Sequence, residues 1–161
     1  MSEPIEYRIV RNLQAALQGL TRAGGYHYDV PAVAVKLDPN HGVEELIGTP
    51  DAPGPRPFIV LEIVPEKFEY FPTGDIKLRM PFVVHWVSDS IPTDDESRLL
   101  TFYRGCADVE QAIAVDGSRG GLAADTRVGK RTFDTAVDGA QVWAQIEIEI
   151  LQHRTFGRPN G

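Results

Sequence analysis

Trp143-Ala144-Gln145-Ile146-Glu147-Ile148-Glu149-Ile150-Leu151 alternates with a period of two, placing Ala144, Ile146, Ile148 and Ile150 opposite Gln145, Glu147 and Glu149. Successive side chains of a strand point to opposite faces, so the stretch reads as a strand with one buried and one wet face. That pattern belongs to antiparallel sheets. Thr126 to Val137 reads as the preceding strand, with Asp138-Gly139 as a hairpin signal between the two. Upstream, Lys77 to Val87 also alternates, with Leu78, Met80, Phe82, Val84 and Trp86 on one face and Val83 and Val87 lending apolar character to the other. Phe58 to Val64 is a nearly continuous apolar run ended by Pro65, the composition of an interior strand. Burial on both faces is expected of these two strands. Tyr26 to Lys36, with Val33 and Val35, reads as the first strand.

Two helices complete the set. Ile5, Ile9, Leu13, Ala16, Leu17 and Leu20 keep the spacing of one helical face, which predicts a helix over about 5–22, closed by Ala23-Gly24-Gly25. Thr93-Asp94-Asp95-Glu96 has the form of a capping box with Thr93 as the cap. Behind it Leu99, Phe102, Tyr103, Cys106, Val109 and Ile113 predict a helix over about 94–115, with acidic residues at the positive end of its dipole. The expected order is α-β-β-β-α-β-β: an α+β fold, a largely antiparallel sheet of about five strands with two helices laid on it. A doubly wound nucleotide fold does not fit so few helices.

At 161 residues the chain is the size of one domain, 1–161, burying roughly 70% of its unfolded surface. With 42% hydrophobic and 24% charged residues it is neither disordered nor fibrous. A net charge of -7 opposes binding to nucleic acid or anionic membranes as a main task. The single Cys106 excludes an intramolecular disulfide and a multi-cysteine zinc site. No window reaches the length of a membrane helix, and Met1-Ser2-Glu3-Pro4 lacks a signal-peptide pattern, so the protein is expected to work where it is made. Residues 38–57 carry Pro39, Pro50, Pro53, Pro55 and Pro57 with three glycines, an irregular loop of the kind that is functional or mobile.

Chemistry is sparse. His27, His41, His85 and His153 show no metal-ligand spacing, and His85, in an apolar strand beside Trp86, is expected to be a hydrogen-bonded sheet histidine. Cys106 falls on the buried face of the second helix, where a thiol is a small hydrophobe. Asp89, Asp94, Asp95 and Glu96 form the densest acidic cluster, which capping already explains, and Gly117-Ser118-Arg119-Gly120-Gly121 lacks a P-loop ending. No Gly-x-Ser-x-Gly elbow occurs. No catalytic, cofactor or metal residue is therefore assigned. Two surface candidates stand out. Arg119, Arg127, Lys130 and Arg131 against Asp125 make 118–131 locally basic, as ordinary exposed charge or as a surface for an acidic partner. Phe68-Glu69-Tyr70-Phe71-Pro72 places three aromatics in an expected connection, where Phe68, Tyr70 and Phe71 either roof the core or anchor a subunit interface.

Leu13, Leu17 and Leu20 followed by Ala23-Gly24-Gly25-Tyr26 and Asp29-Val30-Pro31-Ala32-Val33, then the Pro57-Phe58-Ile59-Val60 strand, resemble the tail terminator and tail-completion proteins of long-tailed bacteriophages. The small size and element order are similar as well. The resemblance implies a structural virion protein with neither catalytic site nor cofactor. It implies a homo-oligomeric ring, usually a hexamer, that caps the tail tube, partners the tube protein and meets the head-tail connector. It transfers no site residues, since the family's working surfaces have no portable motif. The long 38–57 loop leaves room for another neck or minor tail role. Two alternatives of other classes stand beside it: a small ligand-binding or enzymatic domain using His85 or Asp89, and an adaptor module.

Overall fold

The structure, a computed structural model, describes residues 3–37, 57–88, 94–134 and 142–155. Two strands of 13 residues set its frame: β4 (Asp75–Val87) and β6 (Trp143–Thr155) pair antiparallel along their whole length. β1 (Ala32–Lys36) and β2 (Phe58–Ile63) extend the sheet on the β4 side, and β5 (Asp125–Asp134) lies against β6 on the other. The order is β1-β2-β4-β6-β5, with β3 (Lys67–Tyr70) also pairing β4. The fold is α+β with six strands, antiparallel except for the parallel β1–β2 pair.

β3 makes the sixth strand where a connection was expected. Its Lys67-Phe68-Glu69-Tyr70 alternates over only four residues, all exposed, too short a pattern to announce a strand; what fixes it is the ladder to Ile76–Arg79. β2 and β3 lie along the same side of β4, interrupted at Val64-Pro65-Glu66. Ile63 stands opposite Phe82 and Lys67 opposite Arg79, so three residues face two, the arrangement of a bulge. Pro81 sits across from it. Its carbonyl accepts from Val64 N at 3.3 Å, and in an antiparallel ladder a residue's N–H points the same way as its C=O. The donor that proline lacks therefore faces the bulge, where no regular pairing is lost.

Helix α1 (Ile5–Gln18) and helix α2 (Asp95–Ala114) cover one face of the sheet. Ile9, Leu13 and Leu17 from α1 and Phe102, Cys106, Val109 and Ile113 from α2 meet Leu78, Met80, Phe82, Val84 and Trp86 of β4 and the Ala144, Ile146, Ile148, Ile150 row of β6. The opposite face carries a smaller buried cluster, Phe58, Val60, Val87 and Trp143. Both faces of β2 and β4 are thus buried in part, as their composition required.

Several boundaries differ from the sequence expectation. α1 stops at Gln18, with Gly19 as its cap, rather than near 22. The Thr21 hydroxyl accepts from Gly24 N at 3.1 Å and starts a separate 3₁₀ turn over Arg22–Gly24, which Gly25 ends at φ 92°. The first strand begins at Ala32, not Tyr26. The cap of α2 is Asp94 instead of Thr93: its carboxylate accepts from Ser97 N and Ser97 Oγ, each at 2.8 Å, which holds the carboxyl below the usual range. Thr93, loop residues 38–56 and the Asp138-Gly139 hairpin signal lie outside the described residues.

Helix and sheet approach closely at Gly105. A Cβ built there would lie 2.5 to 2.6 Å from three atoms of the Trp86 indole, so α2 rests on that ring only because residue 105 has no side chain. Gly105→Ala is expected to destabilise the protein by about 1–3 kcal/mol despite alanine's better helix propensity. A denaturant titration checks this, and an unchanged or higher midpoint would refute the close approach.

Candidate partner interface

The three aromatics of the 68–72 segment belong to the hairpin formed by β3 and β4. The turn is built by backbone: Phe71 N donates to Asp75 O at 2.9 Å, Gly74 N donates to Phe71 O at 3.0 Å, and Gly74 takes φ 83°. Thr73 Oγ1 donates to Asp75 Oδ2 at 2.9 Å. One strand further in, Arg79 ties the hairpin to the sheet, donating to Glu69 at 2.6 Å and to Glu149 at 2.8 Å, and its hydrogen bond keeps the Glu69 carboxyl below the usual range. Phe68 stands opposite Leu78 and Tyr70 opposite Ile76, so both rings project on the helix-bearing face. Neither α1 nor α2 covers them. Phe68 is 49%, Tyr70 70% and Phe71 44% exposed, which rules out the roof and leaves an apolar group facing water.

The basic stretch is mostly neutralised. Arg119 is the correction: it is fully buried, at φ 50°, and its Nη2 donates to the carbonyls of Ile113 and Asp116. It closes the C-terminal end of α2 and offers no charge to a partner. Burial pushes its pKa down, and its Nε and Nη1 find no hydrogen-bond partner among the described residues. The neighbouring Asp116 accepts from Ser118 Oγ at 2.6 Å, Gly120 N at 2.5 Å and Ser118 N at 3.0 Å, which pulls its carboxyl down and shapes the turn that carries Arg119 inward. Arg127 pairs with Asp125 at 2.8 Å and Arg131 with Glu110 at 2.5 Å. Lys130 is exposed.

The described histidines do not converge. His85 is buried and bonded through both ring nitrogens: Trp143 Nε1 donates to Nδ1 at 3.0 Å, and Nε2 lies 2.6 Å from Glu62 Oε2. Accepting at Nδ1 places the proton on Nε2, facing the carboxylate. Lys36 lies 3.9 Å from the other oxygen of Glu62, so the row crosses β1, β2, β4 and β6. This is the hydrogen-bonded sheet histidine the sequence pointed to. His153 stands exposed opposite Lys77, while His41 and Asp89 lie outside the described residues. Asp95 and Glu96 are exposed in the first turn of α2.

Sequence reasoning missed Asp108, which is buried on α2 and accepts from His27 N and Tyr28 N, each at 3.0 Å, while lying 2.7 Å from His27 Nδ1. The sequence carried no clear signal for it: at about 100° per residue, position 108 lies about 60° outside the arc of Gly105, Cys106 and Val109, away from the apolar stripe of α2. It fixes residues 27 and 28 beneath α2 and so sets where β1 begins.

No family model and no curated protein matches the chain. Among solved structures it is similar to a chain from the virion of a native gene transfer agent particle, at 10% identity and a TM-score of 0.39, over 91% of this chain and 92% of that one.

Burial pushes the Cys106 thiol up to about 11. At pH 8 almost none is thiolate, so alkylation of the native protein is expected to run at least about 100-fold slower than in urea. The raised value contributes stability below the ordinary thiol pKa that is lost as pH climbs toward 11. Equal native and unfolded alkylation rates would contradict this burial.

Proposed function

We propose that the protein is a non-enzymatic virion assembly protein of a long-tailed phage, a tail terminator that caps the tail tube as a ring, usually a hexamer, and offers a surface to the head connector. The observation that carries the proposal is the braced β3–β4 hairpin, with Phe68 and Tyr70 exposed on its outer strand and Phe71 in its turn. Side chains of this kind in water favour a partner, and an edge strand adds unpaired backbone groups for it to meet. The sequence resemblance to tail terminators names a partner class, the tube end and neighbouring subunits. Polar groups bonded within the fold, such as His85 and Asp108, favour scaffolding over catalysis as their role.

A ring of this kind has a definite stoichiometry. Quantitative mass spectrometry of intact particles from the source is expected to find about six copies per particle, one ring by cyclic closure. Absence from particles would overturn the proposal, and a copy number far from one ring would overturn the terminator role. Phe71→Asp is expected to leave the melting temperature within about 2 °C of wild type, since Phe71 is 44% exposed, while lowering incorporation at least tenfold. Wild-type incorporation would remove the hairpin from the interface.

A further inference from the structure

A second exposed apolar group lies at the other edge of the sheet. Leu99 is 52%, Leu100 51% and Tyr103 51% exposed on the first half of α2, and Phe133 is 41% exposed at the end of β5. Phe102 ties them together, its ring 5.3 Å from Tyr103 and 5.4 Å from Phe133. Between helix and strand opens a groove of about 320 Å³ lined by Asp95, Arg98, Leu99 and Phe133.

The register relates this groove to the hairpin. Phe133 stands opposite Ala144, whose side chain lies in the core under the helices, so Phe133 projects on the helix-bearing face, as Phe68 and Tyr70 do. Ala144 in turn stands opposite Trp86 near the end of β4, whereas Tyr70 stands opposite Ile76 near its start. Hairpin and groove therefore occupy diagonally opposite corners of one face. A head-to-tail contact needs two different patches, and these two are well separated on the chain.

Size fits, and charge does not oppose the contact. Three aromatics about half exposed amount to roughly 300 Å², at 150–250 Å² per aromatic side chain, and the groove residues offer a similar area. Each suits the apolar centre of a standard interface. The chain carries -7 overall, so copies repel, yet the hairpin corner is neutral and the groove corner only mildly acidic. Around the hairpin Glu66, Glu69 and Asp75 are matched by Lys67, Lys77 and Arg79, whereas along the groove Asp94, Asp95 and Glu96 outnumber Arg98 and Arg104 by one.

We propose that the aromatic hairpin of one copy seats in the α2–β5 groove of a second copy of this chain. The inference rests on the ring reading above and names the two surfaces that form each link.

Complementation tests it. Tyr70→Asp spoils the hairpin and spares the groove, whereas Leu99→Asp spoils the groove and spares the hairpin. In analytical ultracentrifugation up to about 1 mM, the wild type is expected to form multimers, and each variant alone to associate at least about 30-fold more weakly, a hot-spot loss. An equimolar mixture is expected to give a heterodimer that grows no further, because one intact hairpin and one intact groove remain. Circular dichroism confirms folding, and Tyr103→Ser replaces Leu99→Asp if that variant unfolds. A wild type that stays monomeric, or a Leu99→Asp variant that assembles normally, overturns the proposed contact. Copy number in particles reports on the ring independently: six copies with normal incorporation of Leu99→Asp would keep the ring and discard this contact.

Discussion

The full-length pairing of β4 with β6 is the constraint from which the rest follows. It joins two rows of apolar side chains into one surface, and that surface needs cover. α1 and α2 supply it with their own buried stripes. Because β4 is as long as β6, two shorter segments, β2 and β3, share its other side. The change of register between them falls at Pro81, the one β4 residue that cannot donate to a neighbour there. What β3 leaves uncovered, Phe68, Tyr70 and Phe71, is a by-product of that geometry. The interface candidate is thus set by strand length as well as by aromatic content.

Buried polar groups in this fold work as fasteners. Asp108 gathers the amides of His27 and Tyr28, His85 links Trp143 to Glu62, and Arg119 turns back on the last carbonyls of α2. Each spans elements or closes an end that apolar packing alone would leave free to slide. A buried carboxylate or guanidinium is costly unless bonded, so each accepts few geometries and specifies one. Among the described residues, Nε and Nη1 of Arg119 are where that matching is incomplete.

The periods of two and of 3.6 made β6, β4, β2 and both helices legible, because apolar burial on a regular element leaves a regular trace. Where hydrogen bonding rather than burial holds the structure, the trace was short or absent. β3 is held by backbone ladder and exposes every residue, so it looked like a connection. The cap of α2 fell on Asp94 because its carboxylate reaches the amide and hydroxyl of Ser97, which composition near 93–96 could not rank. Arg119 was counted with exposed basic residues because charge alone does not tell which way a turn aims a side chain; the Asp116 hydrogen bonds do. The aromatic segment was found by composition, but its diagonal relation to Phe133 needed the register.

β6 follows every other described strand in the chain and yet sits between β4 and β5. During synthesis the centre of the sheet is therefore made last. Until residues 143–155 have left the ribosome, β4 has no partner along one whole edge, and its Leu78, Met80, Phe82, Val84 and Trp86 row borders an open gap. The closing pairs join residues as distant as Asp75 and Thr155, so the nascent chain pays a long loop closure before its frame exists. A polypeptide waiting in that state has apolar surface and an unpaired edge exposed together, the conditions under which chaperones hold a chain until its last strand arrives.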